Sequence, residues 1–175
     1  MTAALELFSE NGFDQTTAAQ IAARAGVTER TFFRHFPDKR EVLFDGQGTL
    51  SAALSDAIAK LPLGLPPIEM LRQAFSSIVE PLEQNRRVSE PRQHIIAATP
   101  ALQERELAKH AALVHAVADA LRKHGVEPKR ADLAAQAGLA VLSYAFRSWF
   151  ADPASGLADH LDHAFAELQN LSSAN

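Results

Sequence analysis

Apolar residues three and four apart recur along the whole chain, and glycines and prolines cut the pattern into pieces. No Asn-Gly or Asp-Gly turn lies between alternating apolar runs, so hairpin signals are missing. This pattern predicts an all-α protein of about nine helices. Three very short ones stand at the start, and the rest are long enough for an antiparallel bundle. In the first, Leu5 and Phe8 lie three apart and Gly12 ends the helix. The second opens at Thr17, whose hydroxyl can cap it while Gln20 reaches back, as in a capping box. Its inner face is Ile21, Ala22 and Ala25, and Gly26 ends it. The third runs from Thr28 to about Phe36, where Pro37 stops it; Phe32 and Phe36 share one face. Asp38 and Glu41 form a second capping signal for a long helix to about Lys60. Pro62, Gly64, Pro66 and Pro67 then break the chain, and helices over about 68–84, 88–98, 100–124, 128–151 and 155–171 follow. Gly125 is a C-cap candidate for the helix before it.

A chain of 175 residues buries roughly 70% of its unfolded surface on folding, so it needs no disulfide or metal staple. Cysteine is absent, which excludes a disulfide scaffold, thiol chemistry and thiolate-bound zinc. The first residues, MTAALELFSENG, lack the basic stretch and apolar core of a secretory signal. The longest mostly apolar stretch, Ala134 to Ala145, is broken by Gln136, Gly138 and Ser143, so no membrane span is expected. The chain reads as cytoplasmic. A net charge of −4 argues against a polycation that coats nucleic acid, but leaves room for a local basic face.

Such a face exists near the start. Three short helices with a tight Ala25-Gly26-Val27 turn before the third fit a helix-turn-helix unit. Ala22 and Ala25 allow close approach, and Val27, Phe32 and Phe36 are expected to fill its small core. Between Arg24 and Arg40 stand Arg24, Arg30, Arg34, Lys39 and Arg40, against Glu29 and Asp38. If Phe32 and Phe36 point inward, Glu29, Arg30, Phe33 and Arg34 point outward, with His35 and Lys39 at the edges. Arg reads guanine edges in a major groove, and an aromatic ring packs on a thymine methyl. Free backbone N–H groups at Thr17 and Lys39 would suit phosphates.

The run from Thr17 to Phe44, TAAQIAARAGVTERTFFRHFPDKREVLF, resembles the DNA-binding domain of TetR-family transcriptional regulators. The preceding ALELFSENGFDQTT is similar to that family's first helix and connecting turn, and the likeness covers nearly every residue from Ala3 to Asp45. The resemblance implies a DNA-binding domain over 1–45 and a ligand-binding and dimerisation domain over 46–175. It implies that Thr28, Glu29, Arg30, Thr31 and Phe33 lie on or near the recognition surface, and that Thr17, Arg34, His35 and Lys39 are candidates for backbone phosphates. Two departures stand out. The family usually has Tyr at Phe33, so an apolar contact with a base methyl or sugar replaces a phenolic hydrogen bond. The family's first helix usually starts about two turns earlier, often behind a basic arm; here it starts at Met1, as if truncated.

The larger half is less specific. Its aromatics cluster in the segment Tyr144-Ala-Phe-Arg-Ser-Trp-Phe150, behind a run of small residues. That suits either a packed core or a helix–helix interface. The resemblance implies that the last two long helices form a four-helix bundle with a second copy. Leu157, Leu161, Phe165 and Leu168 would be its apolar seam, although an intramolecular core fits the same stripe. Phe75, Ile78, His94, Tyr144 and Trp149 are the candidate pocket residues for a partly apolar effector. His160 and His163 stand three apart, but the apolar stripe of their helix leaves them at its border or outside it, so a metal site is not expected. Nucleotide-binding, metalloprotease and hydrolase signatures are absent, and neither an enzyme nor a cofactor is suggested. The resulting reading is a homodimeric repressor that leaves a near-palindromic double-stranded operator when a small molecule binds. The alternative is a helical small-molecule binding or interaction module whose shortened first helix no longer supports DNA binding.

Overall fold

The computed structural model describes residues 1–152 and 154–173. All regular structure among them is helical: α1 (Thr2–Asn11), α2 (Ala18–Arg24), α3 (Glu29–His35), a 3-10 turn (Glu41–Phe44), α4 (Gln47–Ala59), α5 (Pro67–Ser76), α6 (Val79–Gln84), α7 (Arg86–Ala98), α8 (Pro100–Lys123), α9 (Pro128–Ala151) and α10 (Leu157–Ser173). The fold is all-α, as the spacing predicts.

The elements differ from expectation in three places, each for a local reason. Asp38 does cap, its Oδ1 accepting from the N–H of Arg40 at 2.7 Å and of Glu41 at 3.4 Å. The helix it opens is only the 3-10 turn, however. The Leu43 carbonyl accepts from Arg92 Nε–H. Asp45 is extended and Gly46 has φ +95°, which a side chain rarely adopts. The helix expected over 68–84 is divided after Ser76. Ser76 and Ser77 hydroxyls donate back to the carbonyls of Arg72 and Ala74, and Pro81 requires a first-turn position, which a new start at Val79 provides. Val27 was expected in the core but is 43% exposed, because the turn that frees α3 carries it outward.

The chain divides into two compact units. The first holds Met1–Gly48 together with Asn85–Lys109; the second holds Thr49–Gln84 and His110–Asn175. This grouping differs from a cut after residue 45, since α7 and the start of α8 belong by contact with the head. The first unit's core joins Ala4, Leu5, Leu7, Phe8, Ile21, Ala22 and Phe32 with Val42, Leu43, Phe44, Ile96 and Leu102. Polar ties reinforce it: Arg92 reaches Glu106 at 2.8 Å and lies over the Phe44 ring, while Glu41 pairs with Arg105 at 2.6 Å and Lys109 at 3.6 Å. The Arg105 hydrogen bond, seconded by charge, holds the Glu41 carboxyl below its usual range.

In the second unit, α9 packs against α10 and α5. Its core includes Leu54, Ile58, Met70, Leu71, Phe75, Val117, Leu121, Leu139, Leu142, Trp149 and Phe165. Gly138 lets α9 approach α5: a Cβ there would stand 2.6 Å from Leu71 Cδ1.

Candidate nucleic-acid interface

The head's geometry follows from its caps. Thr17 and Gln20 form the expected capping box: the Thr17 hydroxyl accepts from the Gln20 N–H at 3.2 Å, and Gln20 Oε1 accepts from the Thr17 N–H at 2.8 Å. The Thr17 N–H is therefore already used. Gly26, at φ +70°, turns the chain, and Val27 N–H returns to the Ala22 carbonyl. Thr28 then caps α3 by accepting from Thr31 N–H at 3.1 Å. Phe32 is buried and anchors the helix; Phe33 meets its ring edge-on at 5.4 Å and Phe36 packs beside it at 5.4 Å. Fully burying such a ring contributes about 1.5–3 kcal/mol.

With Phe32 inward, Glu29, Arg30, Phe33, Arg34 and His35 lie on the exposed side and Thr31 is half-buried. Phe33 is 48% exposed, costly for a large ring unless something covers it. Arg30, Thr31, Phe33 and Arg34 border a shallow recess of about 400 Å³. The local basic charge is more concentrated than the sequence suggests. Arg24 is tied to Glu10 at 2.9 Å and Glu6 at 3.2 Å, bonds that raise its pKa and lower that of Glu10. Arg40 pairs with Asp38 at 2.7 Å. Lys39 Nζ donates to the carbonyls of Phe13 (2.8 Å), Asp14 (3.2 Å) and Thr16 (2.9 Å). Of the five cations between Arg24 and Arg40, only Arg30 and Arg34 have neither a carboxylate nor a backbone partner among the described residues; Arg34 lies 3.4 Å from His35 Nε2.

The other candidate residues scatter. Phe75, Ile78 and Trp149 are buried in the second unit's core, Tyr144 is 47% exposed on α9, and His94 is exposed on α7 in the first unit. They do not converge on one cavity, since the aromatics after Tyr144 pack on one another. A cleft of about 520 Å³ lies elsewhere in the second unit, between α4 and α8. Its lining includes Ser55, Asp56, Ala59, Ala116, Lys123 and His124, and the buried His124 Nε2 has no hydrogen-bond partner there. The stripe Leu157, Leu161, Phe165 faces inward, at 0%, 3% and 3% exposure, and Leu168 is half-buried, because α10 spends this face on α9 and α5 of its own chain. The outward apolar positions are instead on α9, where Leu133, Ala137, Ala140 and Tyr144 follow a four-three-four spacing, with Leu133 70% exposed. That spacing is visible in the sequence but hidden among the alanines. His160 Nε2 lies 3.2 Å from the Asp152 carbonyl, and no group of three metal-ligating side chains occurs among the described residues. No helix among them is long and apolar enough to cross a membrane.

A capped helix pair that offers two arginines and an aromatic ring on its outer face, followed by a larger helical unit, defines a helix-turn-helix transcriptional regulator. Residues 1–45 match the family model described as bacterial regulatory proteins, tetR family, and residues 65–172 match that of the MftR C-terminal domain. The chain belongs to the TetR family of transcriptional regulators.

Among its relatives, the HTH-type transcriptional regulator TcmR of Streptomyces glaucescens is 38% identical over 76 residues, 43% of this chain and 34% of that protein. The chain thus matches only about a third of TcmR. MftR of Mycobacterium tuberculosis, named as a mycofactocin biosynthesis transcriptional regulator, is 27% identical over 93% of this chain and 83% of that protein. Among solved structures, the Thermus thermophilus repressor FadR in complex with lauroyl-CoA aligns with a TM-score of 0.60 and 29% identity, over 96% of this chain and 90% of that one. The complex of SmeT with triclosan aligns at 0.65 and 24% identity, over 94% and 87%. Family and relatives are transcriptional regulators rather than enzymes.

Proposed function

We propose that the protein is a homodimeric repressor, acting in the cytoplasm, that leaves a near-palindromic operator when a partly apolar small molecule binds. The outer face of α3 carries this reading: Arg30 and Arg34 are spared from internal pairing and flank an exposed Phe33. Arg30 reads a base edge, Phe33 packs on a thymine methyl or sugar, and Arg34 with His35 meets phosphates; Thr28, Glu29 and Thr31 shape the approach. Thr17 contributes through its capping box. Two such helices must enter successive major grooves roughly 34–36 Å apart, which calls for a dimer. The outward face of α9 is the surface for the second copy, since the α10 stripe is used internally.

The likeness to a repressor that holds lauroyl-CoA supports a small-molecule effector. The cleft between α4 and α8 offers it apolar walls, a lysine and the unsatisfied His124 nitrogen. Both helices contribute residues to each compact unit, so displacing either acts on the head through the same backbone. The ligand shifts DNA affinity only as far as it prefers one conformation.

Selection of duplexes from fragmented DNA of the source organism tests the reading. A narrow near-palindromic set should be retained at moderate salt. Arg30→Ala or Phe33→Ala should change which sequences win, and Arg34→Ala should weaken all of them and lower the salt slope by about one. Equal retention of selected and random duplexes would overturn it.

A further inference from the structure

The Lys39 ammonium is the most heavily committed cation of the head. An ammonium has three N–H donors and no acceptor. Three carbonyls, those of Phe13, Asp14 and Thr16, lie within 3.2 Å of it. Nζ also stands 4.4 Å from the Phe13 ring centroid, and that ring packs on Phe8 at 5.1 Å. The carbonyls belong to the short segment that joins α1 to α2, outside any helix. The same segment is fixed from its other side by the buried Thr16, whose hydroxyl meets the carbonyls of Gly12 at 2.8 Å and Leu7 at 3.1 Å. A residue 23 to 26 positions away in sequence thus ties the entry of α2 to the stretch that follows α3.

Resting on the DNA-binding reading above, we infer that Lys39 is a positioning residue for operator binding, one that acts through the α1–α2 turn rather than by neutralising a phosphate. To reach a phosphate, the ammonium would have to release a carbonyl and leave it without its donor. Held in place, it fixes where α2 starts, and α2 carries the turn that sets the angle of α3. A cation that joins loop carbonyls in this way cannot be replaced by a neutral side chain, but a guanidinium can serve two of the three acceptors.

Lys39→Met keeps the apolar stem and removes the charge. In the full-length protein it should lower affinity roughly tenfold or more for every duplex while leaving the slope of log K against log salt at its wild-type value. Lys39→Arg should restore much of that affinity. Arg34→Ala, a phosphate candidate, is the comparison that should lower the slope by about one. Hydrogen exchange of the Phe13–Thr17 amides, measured without DNA, should quicken in Lys39→Met. A slope lowered by about 0.9 in Lys39→Met, with unchanged amide exchange, would overturn the inference. If Lys39→Met does not fold, the wild-type protein decides. Its Lys39 ammonium resonance should exchange slowly in the free protein and barely shift on adding the duplex. A slow ammonium that appears only in the complex would refute the positioning role. Because the exchange and resonance measurements need no operator, they stand even if selection recovers no specific duplex.

Discussion

Glu41 shows how much one side chain can bind together. Its side chain is 16% exposed and joins the 3-10 turn to Arg105 and Lys109. The Arg105 hydrogen bond and the two cations lower its pKa from 4.5, so the ionised form is the one that stabilises the fold. A carboxyl depressed in the folded state contributes stability above its unfolded pKa, and that contribution is lost as pH falls through the folded value. The melting temperature should therefore drop as the pH is taken below 4.5, and Glu41→Gln should show a lower plateau near neutrality and a shallower acid fall. Thermal melts of both proteins between pH 3 and 7 read the difference; parallel curves would reject this role.

At the scale of elements, close approach governs the second unit. Leu71 is fully buried, so the methyl that Gly138→Ala adds has no free space to push it into. The variant should lose about 1–3 kcal/mol in denaturant unfolding. Combined with Leu71→Ala, which removes the opposing atom, the loss should be smaller than the sum of the two single changes. Additive losses would mean that α5 and α9 have room to spare.

The elements also show what the sequence could and could not disclose. Thr17 with Gln20, Gly26, and the inward Phe32 were legible because their partners lie within a turn or two. The break at Gly46 was not, because it depends on a carbonyl being taken by Arg92, 49 residues away. The same holds for Lys39 and Arg24: a cation in a motif shows its charge, but not the carbonyls or carboxylates that a folded neighbour brings to it. The α10 stripe was legible as apolar, yet whether it faced its own chain or another depended on packing. The pocket residues failed for a related reason, since an aromatic-rich core and an aromatic-lined cavity share one composition.

For the whole molecule, the exposed face of α9 sets the expected assembly. Leu133→Asp or Tyr144→Asp places a charge where the second copy would pack, and burying an unpaired charge is costly. Sedimentation at micromolar protein should then show a dimer for the parent and a monomer for either variant, with operator affinity falling alongside. A parent that sediments as a monomer, or variants that remain dimeric, would exclude this face.

The head draws Ile96 and Leu102 into its core, and both come from α7 and α8, far along the chain. Relatives are tempting donors for hybrid sensors, in which one protein's operator preference is grafted onto another's effector response. In such a chimera, a splice at residue 45 would strand Leu43 and Phe44 against a foreign surface. A graft that carries 1–48 together with 85–109 keeps its own floor, and should melt higher and repress more tightly than one spliced at residue 45. The transferable part of this protein is thus discontinuous in sequence, and an exchange planned from motif boundaries alone would divide it.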